Sequence, residues 1–217
     1  MRILLATADA EELNWAAQRQ WLDGVFFTPP LIARENSEAE VAALLAEASR
    51  ISGGQVYVAA RSVHEEQIHQ EARELARSAE QTLIVIPFLE DLIPLMVRLG
   101  SEGIRVAASF VHNGAQALLA AKAGASAVIV PFADHDRFGH SGYEVLADVR
   151  TVLDASRLEC DVVAVGLRVA SDVVRCASTG ADALILEPAV LRAFLQHPLT
   201  DRGFDSYLAE LSRLTGP

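Results

Sequence analysis

Short apolar runs alternate with longer segments of helical periodicity along the whole chain. The apolar runs fall at residues 2–6, 24–27, 55–60, 82–86, 104–109, 127–131, 161–166 and 183–186. Several are continuous rather than alternating, such as Leu83-Ile84-Val85-Ile86 and Val162-Val163-Ala164-Val165. Strands covered on both faces read this way, as in parallel sheets, whereas a half-solvated strand alternates apolar and polar positions. The intervening segments carry helix start and stop signals. Asp9 followed by Glu12, and Ser37 followed by Glu40, have the spacing of a capping box. Asn113 stands where it can cap a helix over 114–123. Gly103, Gly124 and Gly180 each close a helical pattern just before a strand. A last amphipathic segment covers 200–214.

Eight strands, each followed by a helix, predict a (β/α)8 TIM barrel with an extra C-terminal helix. The competing architecture is an open doubly wound sheet, but no G-x-G-x-x-G follows the first strand. No linker, low-complexity tract or sequence repeat interrupts the alternation. Residues 1–217 therefore read as one domain, of which 199–217 form the terminal helix.

Composition narrows the function classes. With 217 residues the chain can bury on the order of 70% of its unfolded surface. A formal charge of −11 leaves no basic face for nucleic acid. Cys160 and Cys176 are too few and too irregular for a disulfide framework or a zinc site, and they read as buried free thiols. The apolar run after Met1 is too short for a signal peptide, and no stretch is long and apolar enough to span a membrane, so a cytoplasmic protein is expected. Of the 18 Lys and Arg residues, Lys122 is the one lysine.

Five segments in order carry a resemblance. They are Leu5-Ala6-Thr7-Ala8-Asp9, Gly24-Val25-Phe26-Phe27-Thr28-Pro29-Pro30, the stretch from Gly114-Ala115-Gln116-Ala117 to Gly124-Ala125, Val130-Pro131-Phe132, and His197-Pro198-Leu199-Thr200-Asp201-Arg202-Gly203. Together they are similar to the small transaldolase and fructose-6-phosphate aldolase family, whose patterns include L-D-T-A, G-V-T-T-N-P-S and H-P-L-T-D-x-G. The resemblance implies a (β/α)8 barrel and a homo-oligomer, a pentamer or decamer, in which the terminal helix reaches a neighbour. It also implies Schiff-base chemistry on a sugar phosphate, with a fourth-strand lysine as nucleophile in V-K-V-P and no cofactor or metal.

The residues here depart from that pattern. Val85 occupies the lysine position in Ile84-Val85-Ile86-Pro87. Ala6 stands at the first-strand acid, Thr28 at the second-strand asparagine, Ala59 or Ala60 near the third-strand acid or amide, and Phe132 at the sixth-strand tyrosine of the aldolases, a position where transaldolases also carry phenylalanine. Lys122 falls late in the helix after the fifth strand and is expected to face solvent. By the family mechanism no catalytic residue remains.

Candidate anion- or phosphate-binding groups are Arg168 after the seventh strand, Ser109 at the end of the fifth, and His135 with Arg137 after the sixth. Arg168 has a second reading, a structural ion pair at the barrel top. His135, Asp136 and Glu187 offer an acid/base set, and Asp134 and His140 lie in the same polar stretch. A solvated loop is the other reading of that stretch, and its spacing matches no metal motif. His64 and His69 are expected on the surface of the third helix, and His112 at a helix start within reach of the mouth. Trp15 and Trp21 are expected to pack beside the first helix.

Three functions follow from these residues. The first is a non-catalytic barrel that binds a small phosphorylated ligand or works with an active paralogue. The second is an enzyme with different chemistry at the mouth through His135, Asp136, Glu187 and Arg168. The third is residual aldolase or transaldolase activity on sugar phosphates.

Overall fold

A computed structural model describes residues 1–35, 40–137, 139 and 141–214; the side chains of Asp136 and Arg137 lie outside that description. Eight strands close a parallel barrel in chain order: β1 (Arg2–Leu5), β2 (Gly24–Phe27), β3 (Gln55–Ala59), β4 (Thr82–Pro87), β5 (Arg105–Ser109), β6 (Ala127–Pro131), β7 (Asp161–Val165) and β8 (Ala183–Leu186). The last strand seals the first, with Arg2 opposite Ala183 and Leu5 opposite Leu186. Each strand matches its predicted run to within one residue at either end.

Helices cover the outside: α1 (Ala10–Ala17), α2 (Pro29–Glu35), α3 (Val41–Ser52), α4 (Glu65–Ser78), α5 (Ile93–Ser101), α6 (Gly114–Lys122), α7 (Phe132–Arg137), α8 (Gly142–Ser156), α9 (Ala170–Ser178), α10 (Pro188–Ala193) and α11 (Pro198–Leu214).

The continuous apolar strands serve two cores at once. Alternate residues such as Leu4, Tyr57, Leu83, Val85, Val163 and Ile185 pack inside the barrel. Their neighbours, among them Leu5, Val58, Ile84 and Val162, pack beneath the helices. This follows from the two-residue period of a strand and explains why neither face of these strands is polar. A polar layer closes the N-terminal end of the barrel. There the Arg2 guanidinium meets Gln55 Oε1 and Asp161 Oδ2, both at 2.7 Å, and the Tyr57 hydroxyl donates to the same Gln55 oxygen at 3.2 Å. The opposite end is thereby left as the open one.

Local signals were kept with three exceptions. Gly103, Gly124 and Gly180 sit at φ of 77°, 91° and 80°, the left-handed conformation that ends a helix at little steric cost in glycine. Asn113 caps α6 by accepting the Gln116 N–H at 2.9 Å. Asp9 caps α1 through Glu11 N–H, but Glu12 does not complete a box. Its carboxylate instead takes Arg192 at 2.7 Å. Ser37 lies outside the described residues, and Glu40 precedes α3 without a side-chain cap bond.

The third exception is His69, which is not on the surface. It is 3% exposed, with Nε2 2.7 Å from Glu102 Oε1. It lies beside the buried stripe Ile68, Ala72 and Leu75 of α4, and a carboxylate at the end of α5 supplies the partner that lets an imidazole be buried. His64 precedes α4 and is exposed, as expected.

Trp15 and Trp21 pack edge-to-face at 5.7 Å, with the Arg192 guanidinium 3.8 Å over the Trp15 ring. The terminal helix α11 buries none of its residues against the rest of the chain. Among the described residues no helix is long and apolar enough to cross a membrane.

Candidate functional site at the barrel mouth

Barrels of this kind present their reactive groups at the C-terminal ends of the strands. A cavity of about 540 Å³ opens there, within the range of small-molecule sites. Inner-wall side chains form its floor: Phe26 of β2, Ala59 of β3, Val85 of β4, Ile129 of β6 and Val165 of β7. Val85 is flanked in register by Ala59 and Ala107 and is 4% exposed. The rim is formed by Val63, Phe110, Ala133 and Asp134 with Arg61.

Polar groups in the cavity are sparse. The Ser109 hydroxyl at the end of β5 makes no hydrogen bond among the described residues, although its backbone carbonyl accepts the Phe88 N–H. The Thr28 hydroxyl receives Leu31 N–H at 3.4 Å at the start of α2. Arg61 is already engaged, with Nε 3.0 Å from Glu71 Oε1 and its backbone N–H on Glu71 Oε2.

A second cleft adjoins the mouth where β8, β1 and β2 end, lined by Ala6, Thr28, Arg34, Gly166 and Glu187. At its edge, Glu35 accepts the Thr7 hydroxyl, the Ala8 N–H and Arg34 Nη2, each at 2.8 Å. Burial alone would raise the Glu35 carboxyl. The Arg34 ion pair and the two hydrogen bonds outweigh it and hold the group below the usual carboxylate range.

The residues singled out in the sequence do not converge on one point. Val85, Thr28 and Ser109 line the central cavity, and so do Ala59 and Ala60. Ala6 lies in the adjoining cleft with Glu187. Phe132 faces outward, 2% exposed, with its ring tilted 49° against Tyr143 at a centroid distance of 4.8 Å, and Pro131 takes the cavity side of that strand end.

Arg168 follows β7 in the exposed loop before α9 and is not among the residues lining the cavity. Its side chain makes no ion pair among the described residues, so the structural ion pair is not found there. Its backbone N–H binds Asp172 Oδ2 at 2.9 Å.

His135 stands on α7 rather than on a loop. Its Nε2 is 3.3 Å from His112 Nδ1, and the two rings are edge-to-face at 5.1 Å. Glu187 precedes α10 and is exposed. Lys122 is exposed in the last turn of α6. The side chains of Asp136 and Arg137, and His140 altogether, lie outside the described residues. Among the described residues no three His, Cys, Asp or Glu side chains gather as a metal site.

Sequence reasoning missed the rim. Val63 and Phe110 stand on separate loops, exposed at 81% and 61%, and both face the cavity. Phe110 holds φ at 57°, unusual for a bulky residue. Nothing in the sequence marks that backbone state, although a phenylalanine directly after a strand's last hydroxyl residue was visible.

A closed parallel barrel with an open C-terminal mouth defines the class, and comparison with known proteins defines the family. The family model for transaldolase/fructose-6-phosphate aldolase matches residues 16–215. The chain is 32% identical to a probable transaldolase of Hyphomonas neptunium over 98% of both chains. It is 33% identical to a probable transaldolase of Brucella ovis, covering 98% of this chain and 97% of that one. A probable transaldolase of Thermodesulfovibrio yellowstonii is 32% identical over 99% of both. This chain therefore belongs to the transaldolase/fructose-6-phosphate aldolase family.

Two solved structures show the same fold at low identity. One is a chain of a cube-shaped porous cage designed by fusing symmetric oligomeric domains, with TM-score 0.63 and 16% identity over 99% of this chain and 78% of that one. The other is a native KDPGal structure, with TM-score 0.60 and 17% identity over 86% of this chain and 82% of that one.

Proposed function

We propose that this chain is a non-catalytic member of its family, a barrel that keeps the architecture and has given up the lysine chemistry. The observation that supports this is the place of Val85. It stands on the inner wall of β4 at the floor of the mouth, where the family pattern puts the amine. No strand carries a lysine, and the chain's one lysine is exposed on α6. A Schiff base needs an uncharged amine that can reach a carbonyl carbon, and an isopropyl group cannot supply one. The supporting positions Ala6 and Thr28 carry neither an acid nor an amide.

The proposal includes self-assembly. Phe204, Tyr207, Leu208 and Leu211 share one face of α11 and are all exposed in the single chain. A second copy would cover them. It also includes a weakened anion site in the loop after β7, resting on Arg168, and a role beside an active relative.

Chemistry through His135, Asp136 and Glu187 has less support. Glu187 lies in the adjoining cleft and His135 against His112, and neither lines the central cavity.

The test is borohydride reduction in the presence of fructose 6-phosphate, followed by intact mass and peptide mapping. The expected result is no added mass. A stable adduct on Lys122 overturns the proposal. Phosphate-dependent stabilisation that disappears in Arg168→Ala supports the Arg168 site, and its absence removes that part.

A further inference from the structure

We infer that the central cavity is a binding site for a small uncharged molecule with an apolar body and one polar group, rather than for a sugar phosphate. The inference rests on the proposed loss of lysine chemistry only in taking the mouth to be free for another ligand. Three observations carry it.

The first is the wall. Phe26, Val85, Ile129 and Val165 make a floor of aromatic and branched aliphatic surface, and none of them can hydrogen-bond a polyol. A sugar hydroxyl lost from water against this floor would go unpaired, which opposes binding.

The second is charge. Among the described lining residues Arg61 is the one cation, and Glu71 already holds it at 3.0 Å. A phosphate dianion entering this cavity would give up its hydration for an arginine that already has a carboxylate partner. Arg168 does not line the cavity.

The third is the rim. Val63 and Phe110 are large apolar side chains held in solvent on two different loops, and both face the same opening. Phe110 also sits in the left-handed backbone region, where strain is retained at ligand sites more often than elsewhere. An apolar guest would cover both side chains.

The polar partner inside is the Ser109 hydroxyl, almost buried at the end of β5 and without a hydrogen bond among the described residues. It can donate to a carbonyl or accept from a hydroxyl. Of the other lining hydroxyls, Thr28 accepts the Leu31 N–H, and Ser62 donates to Gln67 and accepts the His64 N–H, so one such group on an otherwise apolar guest matches the hydroxyl left without a bond.

The experiment titrates the intact protein with p-cresol, cyclohexanol, toluene and fructose 6-phosphate, following melting temperature and calorimetric heat at several temperatures. Saturable binding of p-cresol or cyclohexanol with a negative heat-capacity change is expected, and none from fructose 6-phosphate at this cavity. Ala59→Phe fills the floor and should weaken p-cresol roughly tenfold or more, about 1.4 kcal/mol per decade. Ala133→Leu, on the rim helix, is the second filling variant should the first fail to fold. Ser109→Ala should weaken p-cresol and leave toluene unchanged.

The inference is overturned if the folded wild-type chain binds none of the apolar probes. It is also overturned if either folded filling variant binds them as well as wild type. Fructose 6-phosphate displacing p-cresol would overturn it too. None of these outcomes forms a covalent adduct, so the borohydride result stands or falls separately.

Discussion

Asp172 reaches back from the first turn of α9 and accepts the backbone N–H of Arg168 at 2.9 Å. The same oxygen takes Val169 N–H at 3.1 Å, and the other carboxylate oxygen receives the Tyr143 hydroxyl at 2.9 Å. This is one half of a capping box, since Val169 has no side-chain oxygen to return. The candidate anion residue is thus positioned by its backbone, through a buried carboxylate on the following helix, while its guanidinium stays in solvent.

Removing that carboxylate should loosen the seventh loop and cost stability. Burial pushes the Asp172 carboxyl up, but the two backbone N–H groups, the Tyr143 hydroxyl and Arg175 outweigh it and hold the group below its ordinary value. Its folded value is depressed. The stabilisation is therefore fully present above the unfolded value of about 3.9 and is lost as pH falls through the folded one. Asp172→Ala should cost about 1–2 kcal/mol near pH 7, a fall in Tm of roughly 2–8 °C. The gap from wild type should close as pH drops below about 4. A gap as wide at pH 3 as at pH 7 would place the effect outside this carboxylate.

The Val85→Lys variant tests the proposed loss of the family chemistry. The amine would enter a wall of Ala59, Ala107 and Ile129. Partial burial should bring it below the ordinary lysine value of about 10.4 and cost about 1–3 kcal/mol of stability. Borohydride with a small ketone such as dihydroxyacetone should then add mass at the introduced lysine and nowhere in wild type. Turnover of fructose 6-phosphate should stay undetectable, because Ala6 and Thr28 still supply no proton-transfer group. Efficient turnover by the single variant would show that those positions are dispensable.

The architecture was legible in the sequence and the chemistry of the mouth only in part. Continuous apolar runs with glycine stops locate eight buried strands because a barrel strand has no wet face. Val85, Thr28 and Ser109 could be placed at the mouth from their positions at strand ends. His69 could not be placed, since the Glu102 carboxylate that permits its burial lies 33 residues away in another helix. The polar stretch after β6 reads as a loop, yet Phe132–Arg137 turns into a short helix that carries His135 onto His112. The apolar rim formed by Val63 and Phe110 depends on the loops after β3 and β5 bordering one opening, which no local pattern encodes.

The two cysteines should be inert. Burial pushes both the Cys160 and Cys176 thiols up to about 12. At pH 8 the thiolate fraction would be ~10⁻⁴, against ~0.2 for an ordinary cysteine near 8.5. Iodoacetamide should label the native protein about three orders of magnitude more slowly than the unfolded chain. Rapid native labelling of either residue would mean that its strand or helix opens readily.

The terminal helix gives the last prediction. Positions 204, 207, 208 and 211 follow the spacing of one helical stripe, and in the single chain they hold Phe204, Tyr207, Leu208 and Leu211 in water. Leaving such a stripe exposed forgoes about 25 cal/mol for each Å² of apolar surface, whereas a neighbouring copy would remove it from solvent. A paired Phe204→Asp and Leu208→Asp change puts two charges into the stripe. Each would have to be buried unpaired in any assembly that uses it. The barrel itself should be indifferent, because no residue of α11 is buried against it. Light scattering should therefore find the wild-type chain as a multiple of its 23.3 kDa and the double variant as a folded single copy with a similar circular dichroism spectrum. A variant that keeps the wild-type mass would show that the helix does not hold the assembly together. A wild-type chain of single-copy mass would show that there is none to hold.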